Sequence, residues 1–147
     1  MAKVRGCNLP DELLYDVQNQ IWFQELEDGN VKVGMTSVAT AMAGRLVAFT
    51  PKGVGKDVKA GKSCATIESG KWVGPAKAAG DGEVAAVNDA MIADPKIANA
   101  DPYSAGWLVR LKFADWSAVK STLTPGGAVS AKYEAKMAAD GFAGCAP

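Results

Sequence analysis

Apolar and polar positions alternate in short runs along most of the chain, with Gly, Pro and Asn breaks between them. Ile21-Trp22-Phe23-Gln24-Glu25-Leu26, the break Glu27-Asp28-Gly29-Asn30 and Val31-Lys32-Val33 predict a β-hairpin. Arg45 to Thr50 and Gly82 to Asn88 predict single strands, and Trp107 to Phe113 alternates over its second half like a half-buried strand. Between them Cys64-Ala65-Thr66-Ile67, the polar break Glu68-Ser69-Gly70 and the pair Trp72-Val73 predict a second hairpin with Lys71 at its exposed tip. Pro51 to Gly55 reads as a loop and Asp57 to Gly61 as a tight turn.

Helical spacing lies mostly between and after the strands. Pro10 to Val17 fits a short amphipathic helical turn, with Leu13, Leu14 and Val17 on one side. Thr36 is placed to N-cap a short Ala-rich helix, Ser37 to Ala43, that ends at Gly44. Asp89 to Tyr103, interrupted by Pro95 and Pro102, predicts a connection with one helical turn. Asp115 to Leu123 turns helical, and Gly126 to Asp140 sets Val129, Tyr133 and Met137 on one face before Gly141 stops it. Residues 141–147 are expected to be a loose tail. Many short strands with a few peripheral helices predict a mainly β chain, a small sandwich or flattened barrel forming one domain over residues 1–147. Gly44-Arg45-Leu46-Val47 echoes Gly82-Glu83-Val84-Ala85, as two quasi-equivalent halves would.

Charge and composition then narrow the function classes. Sixteen basic and sixteen acidic residues cancel, so no global field draws the chain to nucleic acid or a membrane surface. Asp11 to Asp28 is wholly acidic, whereas Arg45 to Lys62 is basic apart from Asp57, and the two segments are candidate docking faces. The chain has no histidine, which removes Ser-His and Cys-His dyads and every His-ligated metal site. Cys7, Cys64 and Cys145 are too few and scattered for a zinc cluster or disulfide framework, so a reducing, cytoplasmic setting is expected. Cys64 reads as a small core filler, and Cys7 and Cys145, near the ends, as candidate redox thiols. No apolar run approaches membrane-spanning length. Gly55 to Ser63 ends in Gly-Lys-Ser but has five residues between its glycines where a phosphate loop needs four, so nucleotide binding is not expected.

From spacing alone Lys71 is an ordinary solvated turn lysine; resemblance singles it out. Glu68-Ser69-Gly70-Lys71, followed by Gly82-Glu83-Val84, resembles the lipoylation site of the glycine cleavage H-protein family. Val31-Lys32-Val33-Gly34-Met35-Thr36, Asn99-Ala100-Asp101-Pro102-Tyr103 and Gly106-Trp107-Leu108-Val109 are similar to further motifs of that family, in the same order. The resemblance covers roughly residues 12 to 140. It implies a hybrid barrel-sandwich fold with a C-terminal helix, and lipoate amide-linked to Lys71. It also implies a non-catalytic carrier in which Glu68 and Ser69 form the surface that a lipoate ligase or lipoyl transferase reads. Gly70 would permit the tight turn, and Trp72 is either core packing or an apolar rest for the dithiolane ring.

Three positions depart from the family. Its first strand usually carries His-Glu-Trp where this chain has Gln20-Ile21-Trp22, and an acidic residue usually stands where Pro75 follows Lys71 by four. Those acids are thought to shelter a cationic, aminomethylated arm, and Ile21 and Pro75 supply no counter-charge. Glu68 to Pro75 and Cys7-Asn8-Leu9-Pro10 instead resemble lipoate-binding proteins of the sulfur-oxidising heterodisulfide-reductase-like pathway. That implies a monomeric cytoplasmic carrier of sulfane sulfur partnered by a heterodisulfide-reductase-like complex, with dihydrolipoamide dehydrogenase as a further partner. The alternatives are an H protein carrying an aminomethyl group, and an interaction module in which Lys71 stays bare.

Overall fold

The computed structural model describes residues 2–145. Its strands are β1 (Ala2–Val4), β2 (Cys7–Leu9), β3 (Leu14–Asp16), β4 (Ile21–Glu25), β5 (Val31–Met35), β6 (Leu46–Pro51), β7 (Asp57–Val58), β8 (Ser63–Ser69), β9 (Val73–Lys77), β10 (Gly82–Val87), β11 (Val109–Phe113) and β12 (Thr124–Pro125). Five short helices join or follow them: α1 (Ser37–Ala43), α2 (Asp89–Ala93), α3 (Ile97–Ala100), α4 (Trp116–Lys120) and α5 (Ser130–Ala139).

Every pairing is antiparallel. A seven-stranded sheet, in the order β12-β3-β4-β5-β11-β10-β7, faces a three-stranded sheet, β6-β8-β9, and β1-β2 forms a separate ribbon. The predicted barrel-sandwich architecture holds, without a closed barrel. Ile21, Trp22 and Phe23 are all buried in one strand because both faces of the large sheet are covered. Ile21 and Phe23 enter the main core with Val33, Ile67 and Leu111. Trp22 points the other way, into a second core built with Leu9, Tyr15, Tyr133 and Met137. There its indole N–H donates to the Pro102 carbonyl at 2.9 Å, so the ring is buried without an orphaned donor.

The helix that positions the site forms as its caps dictate. Thr36 Oγ1 accepts from the Ala39 N–H at 3.2 Å, and the Gly44 N–H closes the last turn on Thr40. The helix expected from Gly126 begins as a 3-10 turn, Gly126–Ala128, before α5, and Val129 at the junction is buried with Tyr133 and Met137 on α5, as their spacing requires. The echo between residues 44–47 and 82–85 has a structural counterpart. β6 slips register against β8 between Leu46 and Ala48, and β10 slips against β11 between Val84 and Ala86. The two bulges occupy matching positions.

Three expectations are corrected. Pro10 to Val17 is not a helical turn: Leu14, Tyr15 and Asp16 pair with Phe23, Trp22 and Ile21. The open edge of β4 and the burial of Tyr15 against Tyr133 override the local spacing. Asp89 to Tyr103 holds two helices, because Asn88 caps the first through Oδ1 while its amide holds the Ala105 and Trp107 carbonyls. Residues 142–145 are not loose. The Arg5 guanidinium donates to the Phe142 carbonyl, the Cys145 N–H donates to the Arg5 carbonyl, and Phe142 packs on the second core. Ala146 and Pro147 lie outside the described residues. The Gly55 to Ser63 decoy contains β7 and a turn, with no phosphate-loop helix after it.

Candidate functional site

β8 and β9 run together as far as Glu68 opposite Val73, and the chain reverses over Ser69 to Trp72. The Ser69 N–H donates to the Trp72 carbonyl at 2.7 Å, and Ser69 Oγ accepts from the Lys71 N–H at 3.3 Å. Ser69 is thus the buried footing of the turn, whereas Gly70 and Lys71 form its exposed crown. Glu68 lies on the outward side of β8, exposed beside the crown. Gly70 does not play the expected part. Its φ is not in the left-handed region and a Cβ there meets nothing within 4 Å, so another residue fits this turn.

No described residue engages Lys71 Nζ in an ion pair or hydrogen bond. The stem of Lys71 instead lies across the end of α1, where a Cβ on Gly44 would stand 3.2 Å from Lys71 Cε. Gly44 also has φ +82°, so it caps the helix and leaves a flat seat for the lysine. Trp72 is 40% exposed and is not core packing. Its indole lies over Gly74, where any Cβ would collide with the ring.

Beside Lys71 runs a groove of about 380 Å³ between β4, α1 and the β8-β9 hairpin. Ile21, Met35, Ala39, Met42, Ile67 and Trp72 give it an apolar wall, and among the described residues no carboxylate lines it. Ile21 and Pro75, which stand where the family usually has acidic residues, both line this groove. An unpaired exposed amine, a flat seat for its stem and an apolar trough at its side fit a long apolar arm attached to Lys71.

Gln20, seen in the sequence only as a departure from the family's first strand and given no role there, shapes the same groove. It is a non-glycine residue with φ +60°, held there as its backbone carbonyl accepts from the Thr36 N–H at 3.2 Å. Its side-chain amide donates to Met42 Sδ at 3.4 Å, and its Oε1 is buried with no donor among the described residues.

The expectation of scattered, unpaired cysteines is corrected at Cys7 and Cys145. Cys7 is fully buried and bonded to Cys145 in a disulfide that closes 138 residues, so neither is a free thiol. The pair lies beside the start of α1, where Cys145 Sγ is 3.6 Å from the Ser37 carbonyl, and neither cysteine lines the Lys71 groove. Cys64 is a buried free thiol in the main core, and burial pushes it up to about 11, which suits a filler. Among the described residues no helix is long and apolar enough to cross a membrane.

The architecture and the crown define the class: a lipoyl-domain-type β scaffold. The chain belongs to the glycine cleavage H-protein family, whose model matches residues 13–136. It is 54% identical over 127 residues to glycine cleavage system H protein 5 of Aquifex aeolicus, covering 84% of this chain and 85% of that one. A probable glycine cleavage system H protein 2 of Sulfurisphaera tokodaii is 39% identical over 132 residues, 88% of this chain and 89% of that one. The crystal structure of a glycine cleavage system H protein from Mycobacterium marinum superposes with a TM-score of 0.73 at 31% identity, covering 90% of this chain and 99% of that chain. Proteins of this family are lipoyl carriers rather than catalysts. They bear lipoate on a lysine and work with a lipoate ligase and the glycine cleavage enzymes.

Proposed function

We propose that Lys71 is the lipoylated lysine and that the arm it bears carries sulfane sulfur in cytoplasmic sulfur oxidation, delivered to a heterodisulfide-reductase-like complex. When bound, the lipoyl group supplies dithiol–disulfide chemistry. The chain supplies position: Ser69 fixes the turn, Gly44 seats the lysine stem, and the groove between β4 and α1 shelters apolar length from water. Of the two residues expected to form the ligase's recognition surface, exposed Glu68 is the feature a lipoate ligase reads, while buried Ser69 acts from beneath by fixing the turn; dihydrolipoamide dehydrogenase is a further partner.

One observation carries the choice of cargo. Among the described residues no carboxylate lines the groove beside Lys71, and Ile21 and Pro75 are on its walls. A cationic aminomethyl group entering it would be desolvated without a counter-charge, whereas a sulfur cargo needs none. Family membership and the relatives' names favour the second reading, an H protein of glycine cleavage. The first test is intact-mass spectrometry of protein from its native host, where a lipoyl-sized adduct should vanish in Lys71→Ala. The second offers the lipoylated protein to glycine decarboxylase and to the heterodisulfide-reductase-like complex. Turnover with the latter supports the proposal, and efficient aminomethyl transfer reverses it.

A further inference from the structure

Trp72 is the largest exposed apolar side chain among the described residues, and it follows Lys71 directly. The strand register fixes which way it faces. Ala76 pairs with Ala65 and Gly74 with Ile67, and the same count sets Trp72 opposite Ser69. Ala65, Ile67, Ser69 and Ala76 are all buried, so these pairs form the inner side of the hairpin, whereas Val73 stands exposed with Glu68 on the outer side. Trp72 and Gly74 are therefore neighbours along the inner side of one chain.

Gly74 is bare in that row for one visible reason. Its φ is not in the left-handed region, so the backbone does not demand glycine. The indole does: a Cβ at Gly74 would stand 2.9 Å from Trp72 Cε2 and closer still to Cζ2. With no side chain beneath it, the ring lies back along the strand instead of standing out in water. There it closes the groove together with Ile21, Met35 and Met42. An indole and two thioethers make a polarisable, uncharged wall, which suits an apolar chain ending in sulfur.

We infer that Gly74 and Trp72 together form a resting shelf for the lipoyl arm: Trp72 touches the arm, and Gly74 is the positioning residue that lays the ring in the groove. This rests on lipoylation of Lys71. The root of the arm is one residue from the ring, so the two meet intramolecularly, at an effective concentration that a diffusing solute does not match. An arm on the shelf has its sulfurs shielded from small reagents, and an arm off it swings in water. The pair sets the balance between the two, by about two- to tenfold for contacts of this kind.

The lipoylated natural chain, Trp72→Ala, Gly74→Ala and the double variant are reduced with dithiothreitol. Dithiothreitol gives two electrons and two protons to the arm and closes to its own cyclic disulfide. After the reductant is removed, iodoacetamide alkylates the dithiol, each thiolate displacing iodide. Weighing the Lys71 peptide over time reads the arm apart from Cys7, Cys64 and Cys145. The natural chain should react more slowly than free dihydrolipoamide by the factor above, and each single variant should recover most of the difference. The double variant should react no faster than Trp72→Ala, because Gly74 acts only through the ring. A lipoylated, folded Trp72→Ala with the natural rate overturns the inference and leaves lipoylation standing. So does a Gly74→Ala effect that persists in full without the indole, which would report a loosened hairpin. Slower modification of Trp72→Ala by a lipoate ligase, with alkylation unchanged, assigns the ring to enzyme docking and also overturns the inference. Absence of any adduct on the natural chain overturns both readings.

Discussion

The two bulged ladders end differently. In one, Leu46 pairs with Ser69 and Ala48 with Glu68; in the other, Val84 pairs with Leu111 and Ala86 with Arg110. Counting two residues outward places Gly44 and Lys71 in the positions held by Gly82 and Phe113. The second ladder continues, with Gly82 directly opposite Phe113 and any Cβ on Gly82 driven into the Lys112 carbonyl. Phe113 is buried there, stacked on Trp116 at 5.4 Å between centroids and packed near Phe23. The first ladder stops at Ser69, whose hydroxyl and N–H turn the chain, and the matching residue becomes an exposed lysine seated on a glycine. One scaffold therefore uses the same place as a core anchor in one half and as a displayed amine in the other.

Exchanging the two characters gives the largest effects. Lys71→Ala should abolish the lipoyl adduct completely by intact mass, while unfolding free energy in urea changes by less than about 0.5 kcal/mol. Phe113→Lys should do the reverse by burying an unpaired ammonium, costing 4 kcal/mol or more on the order of a severe core defect. Phe113→Ala should cost roughly 3–5 kcal/mol in the same denaturation experiment, with lipoylation of the surviving folded protein intact.

Gly44→Ala should cost about 1–2 kcal/mol from its left-handed φ. It should also lower the rate of ligase modification, because the new Cβ presses on Lys71 Cε. An unchanged rate would show that the glycine serves the cap alone. The smallest effect concerns the cover over Phe113. Glu25 is held below its usual carboxylate range by a hydrogen bond from Lys120, with a smaller contribution from Trp116. Its stabilising contribution is complete above the ordinary value of 4.5 and is lost as pH falls through the lowered folded value. Lys120→Ala should flatten that acid limb by less than about 1 kcal/mol, as for other exposed pairs.

Local rules were enough wherever a segment's neighbours in sequence decided its shape. Thr36 and Gly44 bracket α1 as capping predicts, the Lys71 hairpin forms where the polar break lies, and Tyr133 and Met137 face inward from α5. Contacts between distant residues were not legible. Leu14 to Asp16 became a strand because β4 offered an open edge, and Cys7 found Cys145 across 138 residues. Ile21 and Pro75 stood out against a family pattern, but only the assembled sheets bring them into one groove. Gln20 differs from the family's usual residue, but nothing in the sequence foretells its positive φ, which goes with the contact to Thr36, or its side-chain contact with Met42.

The join between Cys7 and Cys145, whose Cα atoms are 5.0 Å apart, closes the stretch between them into a ring. Where a ring is opened matters little to its shape. A permuted gene that joins the segments holding Cys7 and Cys145 through a short linker and starts instead at the Asp28-Gly29 tip should encode the same tertiary structure, with Lys71 still displayed on its own hairpin. The circuit of strands, rather than the accident of which residue is translated first, is what defines this molecule.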